Sequence, residues 1–581
     1  MTTQNNRDRD IEALKIAARW PGVDRATVVT LATRLAVTGA DADGYAYFQQ
    51  ETQAHPDQPL LQALAGYFAV RAGDDVPAAL ARLDAAAAAD LGLPQYFRGL
   101  ALAALPPERQ RAEQAAADLE FVLAVRDQFP PAMIRAVHAA LAIVYRVLGK
   151  DDLAAEAARR SGLGSFPADS PLRFGGYSVN AEDGFRFSSP AIFRPEPGVH
   201  VAQGHDFGDF AFIETREGII AIDAGTTPAR VQAALDEAGL AAGAISHVIL
   251  THAHFDHIGG IGAVRGPGTQ VIAQAAFPAE LDRQRRSAGP SRYFTGAIAG
   301  AAGETGAGTG NDDAGGIVPD RLIAEPTPLT VGGTELMLYP TPGGETGDAL
   351  MIYLPGPGLL FTGDVMTPYI GAPFSAEGSP EGLLETLGFI RDLRPRALIQ
   401  GHTPLTEVFA IEAVPGLEAA LTQLHGQVTD GIGAGGSLAS ILGRNYLPEV
   451  LRDHPSAVVP YLVTRDHFTA RLYHQRTGYW KRDGYGLQPA GDDARAAALD
   501  LLAEGHPGRY ATAAATLIGQ GDPALALEII EPGLLRHPDH PELAGLRQAA
   551  LHRLMERHQQ LDPFRFLIYA ELAGAEIGPV E

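Results

Sequence analysis

Within the run Thr251-His252-Ala253-His254-Phe255-Asp256-His257 the chain sets three imidazoles and a carboxylate beside one another. Imidazole and carboxylate together suit zinc, manganese or iron. The apolar residues Val248-Ile249-Leu250 precede the run and Gly259-Gly260 follow it, so a strand delivers the chain to its own end and a loop turns these side chains inward. Alternate residues leave an extended chain on the same side, which lets His252 and His254 share one metal. Asp256 and His257 come after the turn and face a second metal close by. The chain has no cysteine, so disulfides and thiolate sites are excluded and any metal must be held by His, Asp and Glu. A metal pair ~3.5–4 Å apart holds a bridging water as hydroxide near neutral pH and clamps the charge developing on the attacked group. That is hydrolytic chemistry, and Asp256 is the candidate catalytic carboxylate that orients the hydroxide. A lone His among the 18 in this chain would be read as an ordinary surface or core residue; the clustering sets these apart.

The elements that must position such a site are legible between residues 200 and 405. Short β-type runs at 209–215, 218–223, 247–251, 270–273, 335–339, 349–354, 358–362 and 396–400 alternate with helical stretches, which predicts an α/β domain. A Gly/Ala-rich tract near 295–316 has no composition for a core and is expected to be a mobile surface loop. Residues 9 to about 165 are rich in Ala, Leu, Arg and Glu with apolar positions at helical spacing. Their segments pair across turns such as Arg71-Ala-Gly-Asp-Asp and Leu148-Gly-Lys-Asp-Asp, loosely resembling tetratricopeptide hairpins. Such a domain offers a docking or dimerisation surface, or simply packs on its neighbour. Beyond about 410 the chain is helical again. The expected domains are therefore 1–168 (helical, tetratricopeptide-like), 169–410 (catalytic) and 411–581 (helical).

Charge narrows the partners. The chain has 581 residues, 69 acidic against 45 basic, for a net charge of −24. Phosphate-rich nucleic acid and anionic membrane would be repelled. A small anionic substrate is not excluded, because bound metals would be the largest local charge in their own pocket. The N-terminal stretch lacks the apolar core of a signal peptide, and no run approaches the ~20 apolar residues needed to span a bilayer. A cytoplasmic protein with no integral membrane contact is the expectation.

The string His252-x-His254-x-Asp256-His257 at a strand end, followed by Gly-Gly, resembles the signature of the metallo-β-lactamase superfamily. The resemblance implies an αββα sandwich, here flanked by two all-α helical domains, and further ligands at later strand ends. In Thr341-Pro342-Gly343-Gly344-Glu345-Thr346 the ligand would be Glu345, where most members have His. Asp364 in Phe361-Thr362-Gly363-Asp364 stands at the position of the bridging carboxylate, and His402 in Gln400-Gly401-His402 at that of the last His. His252, His254 and Glu345 would form one site and Asp256, His257 and His402 the other, with Asp364 between them. Asp223, in Ile222-Asp223-Ala224-Gly225, matches a further superfamily position and is expected to support the metal loop.

A Glu in place of that His resembles the type III alkylsulfatases, which hydrolyse alkyl sulfate esters with two zinc ions. The stretch Arg471-Leu-Tyr-His-Gln-Arg-Thr-Gly-Tyr-Trp-Lys-Arg-Asp-Gly, followed by Leu487-Gln-Pro, resembles their helical dimerisation domain and implies a homodimer. The chain departs from them in having Asp364 rather than Glu as the bridging acid. It also has Thr367-Pro-Tyr-Ile-Gly-Ala-Pro-Phe in place of a His- and Asn-rich segment bearing a sulfate-holding Arg. The expectation is that no sterol-carrier-like domain follows the helical one, and the resemblance does not explain the N-terminal helices. Phe255, Tyr293, Phe294, Tyr369 and Phe374 are candidates for an apolar substrate pocket or for core. The expectation is a hydrolase holding two divalent ions, zinc ahead of manganese or iron, acting on a small ester-type substrate such as an alkyl sulfate. The alternatives are a lactone, carboxylic ester, thioester or phosphodiester substrate, and a non-catalytic scaffold.

Overall fold

The computed structural model describes residues 11–19, 25–37, 39–106, 111–126, 129, 131–160, 178–180, 184–186, 190–286, 317–370, 378–478, 490–558 and 562–573. The tract 295–316, the aromatics Tyr293, Phe294 and Phe374, and the 479–489 part of the C-terminal run lie outside them. Contacts group the chain into two compact units, one formed by 1–176 with 477–580 and the other by 177–476.

The second unit carries the strands. A short hairpin, β1 (Ser178–Asn180) and β2 (Gly184–Arg186), precedes two sheets. The seven-stranded sheet runs in chain order through β3 (Ala191–Glu196), β4 (Val199–Gln203), β5 (Phe210–Thr215), β6 (Gly218–Ile222), β7 (Ile245–Ile249), β8 (Gln270–Gln274) and β9 (Arg321–Ile323). Pairing is antiparallel up to β6 and parallel from β6 to β9. The five-stranded sheet comprises β10 (Thr327–Val331), β11 (Thr334–Pro340), β12 (Leu350–Leu354), β13 (Leu359–Gly363) and β14 (Ala397–Gln400), with only the last pair parallel.

Period-two patterning explains how the sheets stack. In β6, Ile220 and Ile222 face a shared core with Val201, Ile213, Ile249, Leu338, Ile352, Leu359 and Ile399 from both sheets. Ile219 and Ala221 point the other way, into a core with Val231 and Leu235 of the helix Pro228–Ala238 and Phe277 and Leu281 of the helix Phe277–Arg286. Each fully buried aliphatic or aromatic side chain contributes about 1.5–3 kcal/mol, and the same alternation builds both cores. Leu383, Leu387 and Ile390 are buried at helical spacing on Pro380–Leu393, and Phe389 of that helix meets Tyr339 of β11 edge-on. The arrangement is the helix–sheet–sheet–helix sandwich expected from the sequence. The helices Val414–Gly433 and Val458–Thr477 belong to the same unit.

Among the described residues the first unit is all-helical. Successive helices from Arg25–Val37 to Asp151–Arg160 are joined by tight turns. Gly73 ends Pro59–Ala72 in the left-handed conformation, and the Asp75 carboxylate accepts from the Ala78 N–H to start Val76–Ala89. The helices from Asp492–Leu502 to Pro563–Leu572 complete this unit, and Arg34 Nη1 donates to the Arg557 carbonyl at 3.0 Å. Contact grouping therefore joins 492–572 to the N-terminal helices rather than to 414–477, and a division into 1–168, 169–410 and 411–581 stands as a proposal. No helix among the described residues is long and apolar enough to cross a membrane.

Candidate metal centre

All seven residues singled out in the sequence lie at strand ends on one edge of the sandwich. β7 ends at Ile249, and His252 and His254 follow it with ring centroids 4.6 Å apart. Both face the loop after β11, where Glu345 Oε2 lies 3.4 Å from His252 Nε2 and 3.2 Å from His254 Nδ1. His254 is still extended and caps the one-turn helix Phe255–Ile258, which swings Asp256 and His257 inward. Asp256 Oδ2 lies 3.4 Å from His257 Nε2 and 3.5 Å from His402 Nε2. Asp364, just past β13, places Oδ2 at 2.9 Å from His402 Nε2 and 3.5 Å from His257 Nε2. Three sets of donor atoms each gather within 4.8 Å: His252 with His254 and Glu345, Asp256 with His257 and His402, and His252 with His257 and Asp364.

Hydrogen bonds to the far side of each ring decide which nitrogen faces the cluster. His257 Nδ1 donates to Asp223 Oδ2 at 2.9 Å, leaving Nε2 inward. His402 Nδ1 donates to the Phe207 carbonyl at 2.8 Å, with the same result. His252 Nδ1 contacts Thr251 Oγ1 at 2.9 Å, and that hydroxyl donates to Asp223 Oδ2 at 2.7 Å. The Thr251 N–H donates to Asp223 Oδ1 at 2.7 Å. These tautomers follow from the network of partners. Asp223 thus ties β6 to the His252 loop, and it does so from a positive φ of 60°, a conformation that few residues other than glycine, asparagine and aspartate adopt.

Charge within the cluster is closely balanced. Burial would lower the His402 imidazole, but Asp364 and Asp256 push it up to about 9. Burial likewise opposes the charged form of His257, yet Asp256, Asp364 and Asp223 raise it well above the usual range. Burial and the neighbouring His257 and His254 hold His252 well below it. Burial would raise the Asp256 and Asp364 carboxyls, and the charges of His257 and His402 overcome it, holding both well below the carboxylate range.

The residues present have the chemistry to hold divalent metal. His252 Nε2, His257 Nε2 and Asp364 Oδ1 are buried without a hydrogen-bond partner, an arrangement that costs free energy unless something else fills their valences. The donor set is four imidazoles and three carboxylates.

Sequence reasoning missed part of the surrounding machinery. Phe207 and Asp209 bond to residues 401–403, and the buried Asp206–Arg230 pair stands beside them. A signal existed in the polar, glycine-flanked segment Gly204-His205-Asp206-Phe207-Gly208-Asp209 ahead of β5, but its partners are remote in sequence.

Residues 204–402, the stretch that contains every one of these side chains, match the family model of the metallo-beta-lactamase superfamily. The chain carries a metallo-β-lactamase domain. No match was found among curated protein sequences. Among solved structures, the domain and its helical surroundings resemble the stereoselective inverting sec-alkylsulfatase Pisa1 from Pseudomonas sp., at 19% identity and a TM-score of 0.54. That match covers 67% of this chain and 66% of the other. A double mutant of the sec-alkyl sulfatase PisA1 matches at 18% identity and a TM-score of 0.55, over 66% of each chain. This chain thus spans just under two thirds of the length of either structure, and the likeness shows an alkylsulfatase-like fold.

Proposed function

We propose that this metallo-β-lactamase-fold chain is a binuclear hydrolase of small ester-type substrates, with alkyl sulfates the first class to test. The observation that carries the reading is the pairing of two three-residue donor groups, with Asp364 reaching between them. His252, His254 and Glu345 would hold one cation and Asp256, His257 and His402 the other, Asp364 serving both. Zinc suits this donor set, with manganese and iron as alternatives. Such a pair, when bound, supplies Lewis acidity and lowers the pKa of water. The chain's own contribution is positional. Asp223 and the Phe207 carbonyl fix the ring tautomers, and the buried Asp256 carboxylate stays ionised and available to orient an attacking water. The unneutralised positive charge of the filled centre would favour an anionic substrate despite the acidic surface.

The same proposal includes a homodimer and a cytoplasmic setting. The first rests on the likeness of the 471–484 run to the alkylsulfatase dimerisation segment, and light scattering tests it. For the activity, the metal-free protein is loaded with zinc, or separately manganese, and given a medium-chain alkyl sulfate while inorganic sulfate is followed. Release that a chelator abolishes is the expected result. Two metals bound with no sulfate released would overturn the sulfatase reading and favour a lactone, carboxylic ester, thioester or phosphodiester. The replacement of the Arg-bearing segment by Thr367-Pro-Tyr-Ile-Gly-Ala-Pro-Phe supports that second reading.

A further inference from the structure

The segment 204–209 contributes no ligand, yet it meets two members of the Asp256–His257–His402 group. Asp206 is only 1% exposed. Its Oδ1 accepts from the Phe207 N–H at 2.8 Å and from Arg230 Nη1 at 2.9 Å, and its Oδ2 accepts from the Thr226 N–H at 2.7 Å and the Thr227 N–H at 3.4 Å. Arg230 lies in the first turn of Pro228–Ala238, its side chain 11% exposed. One carboxylate therefore gathers backbone N–H groups from two loops and the guanidinium of a helix. Downstream, the Phe207 carbonyl accepts from His402 Nδ1 at 2.8 Å. The Asp209 N–H donates to the Gly401 carbonyl at 2.7 Å, and Asp209 Oδ2 accepts from Thr403 Oγ1 at 2.8 Å. His402 is thus gripped directly and through both of its chain neighbours. Gly208 packs on the backbone of Asp256, where a Cβ would come within 2.5 Å of the carbonyl oxygen.

We propose that the buried Asp206–Arg230 pair is a positioning clasp for His402, acting through the Phe207 carbonyl. The inference rests on the metal-centre reading above. Neither residue belongs to the candidate donor groups. A buried ion pair adds little net stability over apolar packing of the same volume, so stability alone does not account for it here. What an apolar pair cannot do is collect the N–H groups of Phe207, Thr226 and Thr227 at one point. That convergence fixes the direction of the Phe207 carbonyl, and the carbonyl fixes the His402 ring with Nε2 turned to Asp256 and Asp364. Loosening the clasp frees the ring to rotate or to take the other tautomer.

The test uses the full chain and zinc as the probe. Metal-free wild type, Arg230→Met, Asp206→Asn, Arg230→Lys and His402→Ala are titrated with zinc against a chromogenic chelator, and the cobalt(II)-loaded forms are compared by absorption spectroscopy. Arg230→Met and Asp206→Asn are expected to weaken, by about 10–100-fold, the same binding event that His402→Ala removes. The other event should stay within about threefold, and the cobalt bands of the affected site should shift. Arg230→Lys keeps the charge and a donor and is expected to restore wild-type binding. If Arg230→Met does not fold, the isosteric Asp206→Asn carries the test. Folded variants that bind zinc like wild type, or that weaken both events equally, overturn the clasp while leaving the metal centre standing. A wild type that binds no zinc, or binding that His402→Ala leaves untouched, overturns the metal-centre reading and the clasp with it.

Discussion

Three donors converge on Asp223: the Thr251 N–H, the Thr251 hydroxyl and the His257 ring. An Asn here would offer one acceptor oxygen and present an NH2 group where another donor already stands. The His257 ring would then be driven to carry its proton on Nε2, the atom that faces Asp256 and Asp364. Asp223→Asn is accordingly expected to lower metal affinity by about 10–100-fold, read by the same zinc competition, with wild-type affinity as the outcome that removes Asp223 from the role. His254→Ala deletes a donor outright, and loss of one metal equivalent together with chelator-sensitive turnover is expected. Full activity in that variant would sink the proposed mechanism. The pH dependence follows from His402, whose folded-state pKa is pushed up to about 9 against about 6.5 for an unperturbed imidazole. In the metal-free protein its contribution to stability is fully present below pH ~6.5 and lost as pH rises through about 9. A cation needs the neutral ring, so metal must displace a proton at neutral pH, and affinity should climb with pH up to about 9. Calorimetric zinc titrations at pH 7 in two buffers of different ionisation enthalpy should give different apparent enthalpies; identical ones would mean no proton is displaced.

Strand ends do the positioning at the next scale. The loops after β6, β7, β11, β13 and β14 supply Asp223, the 252–257 run, Glu345, Asp364 and His402, and the loops approach closely enough to require glycine. A Cβ on Gly401 would run into Asp364 Oδ1 and lie 2.7 Å from His257 Cε1. Gly401→Ala is expected to cost about 1–3 kcal/mol through overpacking and to displace Asp364. A lowered melting temperature with weaker zinc binding would show this, and an unchanged protein would mean the loop yields freely. The β-runs read in the sequence correspond to β5, β6, β7, β8, β11, β12, β13 and β14, because each buries a continuous or alternating apolar stretch. The strands that went unread are those whose surroundings blur that signal. β3 and β10 are sheet edges with a proline inside each, Pro195 and Pro328, and a proline is tolerated where one side of the ladder is unpaired. β4 mixes His200 and Gln203 into a buried strand, and His200 is accommodated by Glu214 at 2.8 Å. The cluster 252–257 was legible because its donors are adjacent in sequence. Asp206 and Arg230 were not, since a carboxylate that works by collecting backbone N–H groups leaves no spacing pattern behind.

At the scale of the whole chain, the two ends of the sequence meet within one helical unit. Arg34, on the helix Arg25–Val37, is 8% exposed and donates to the carbonyl of Arg557 near the end of Pro541–His558. Beside it the His558 imidazole is lowered to about 3, first by burial and then by the charges of Arg565, Arg557 and Arg34, and it stacks on Tyr569 with ring centroids 5.7 Å apart. A fragment ending before the sandwich would keep Arg34 and lose its acceptor. A hydrogen bond from a charged donor contributes about 1.5–3 kcal/mol, and in a helical fragment of this size each kilocalorie shifts the melting temperature by about 2–4 °C. Residues 1–176 expressed alone are therefore expected to melt several degrees below the same residues co-expressed with 477–581, by circular dichroism. If 1–176 melts at the same temperature in both preparations, the N-terminal helices fold independently. The division at 168 and 410 would then be the better description, and the Arg34–Arg557 contact incidental.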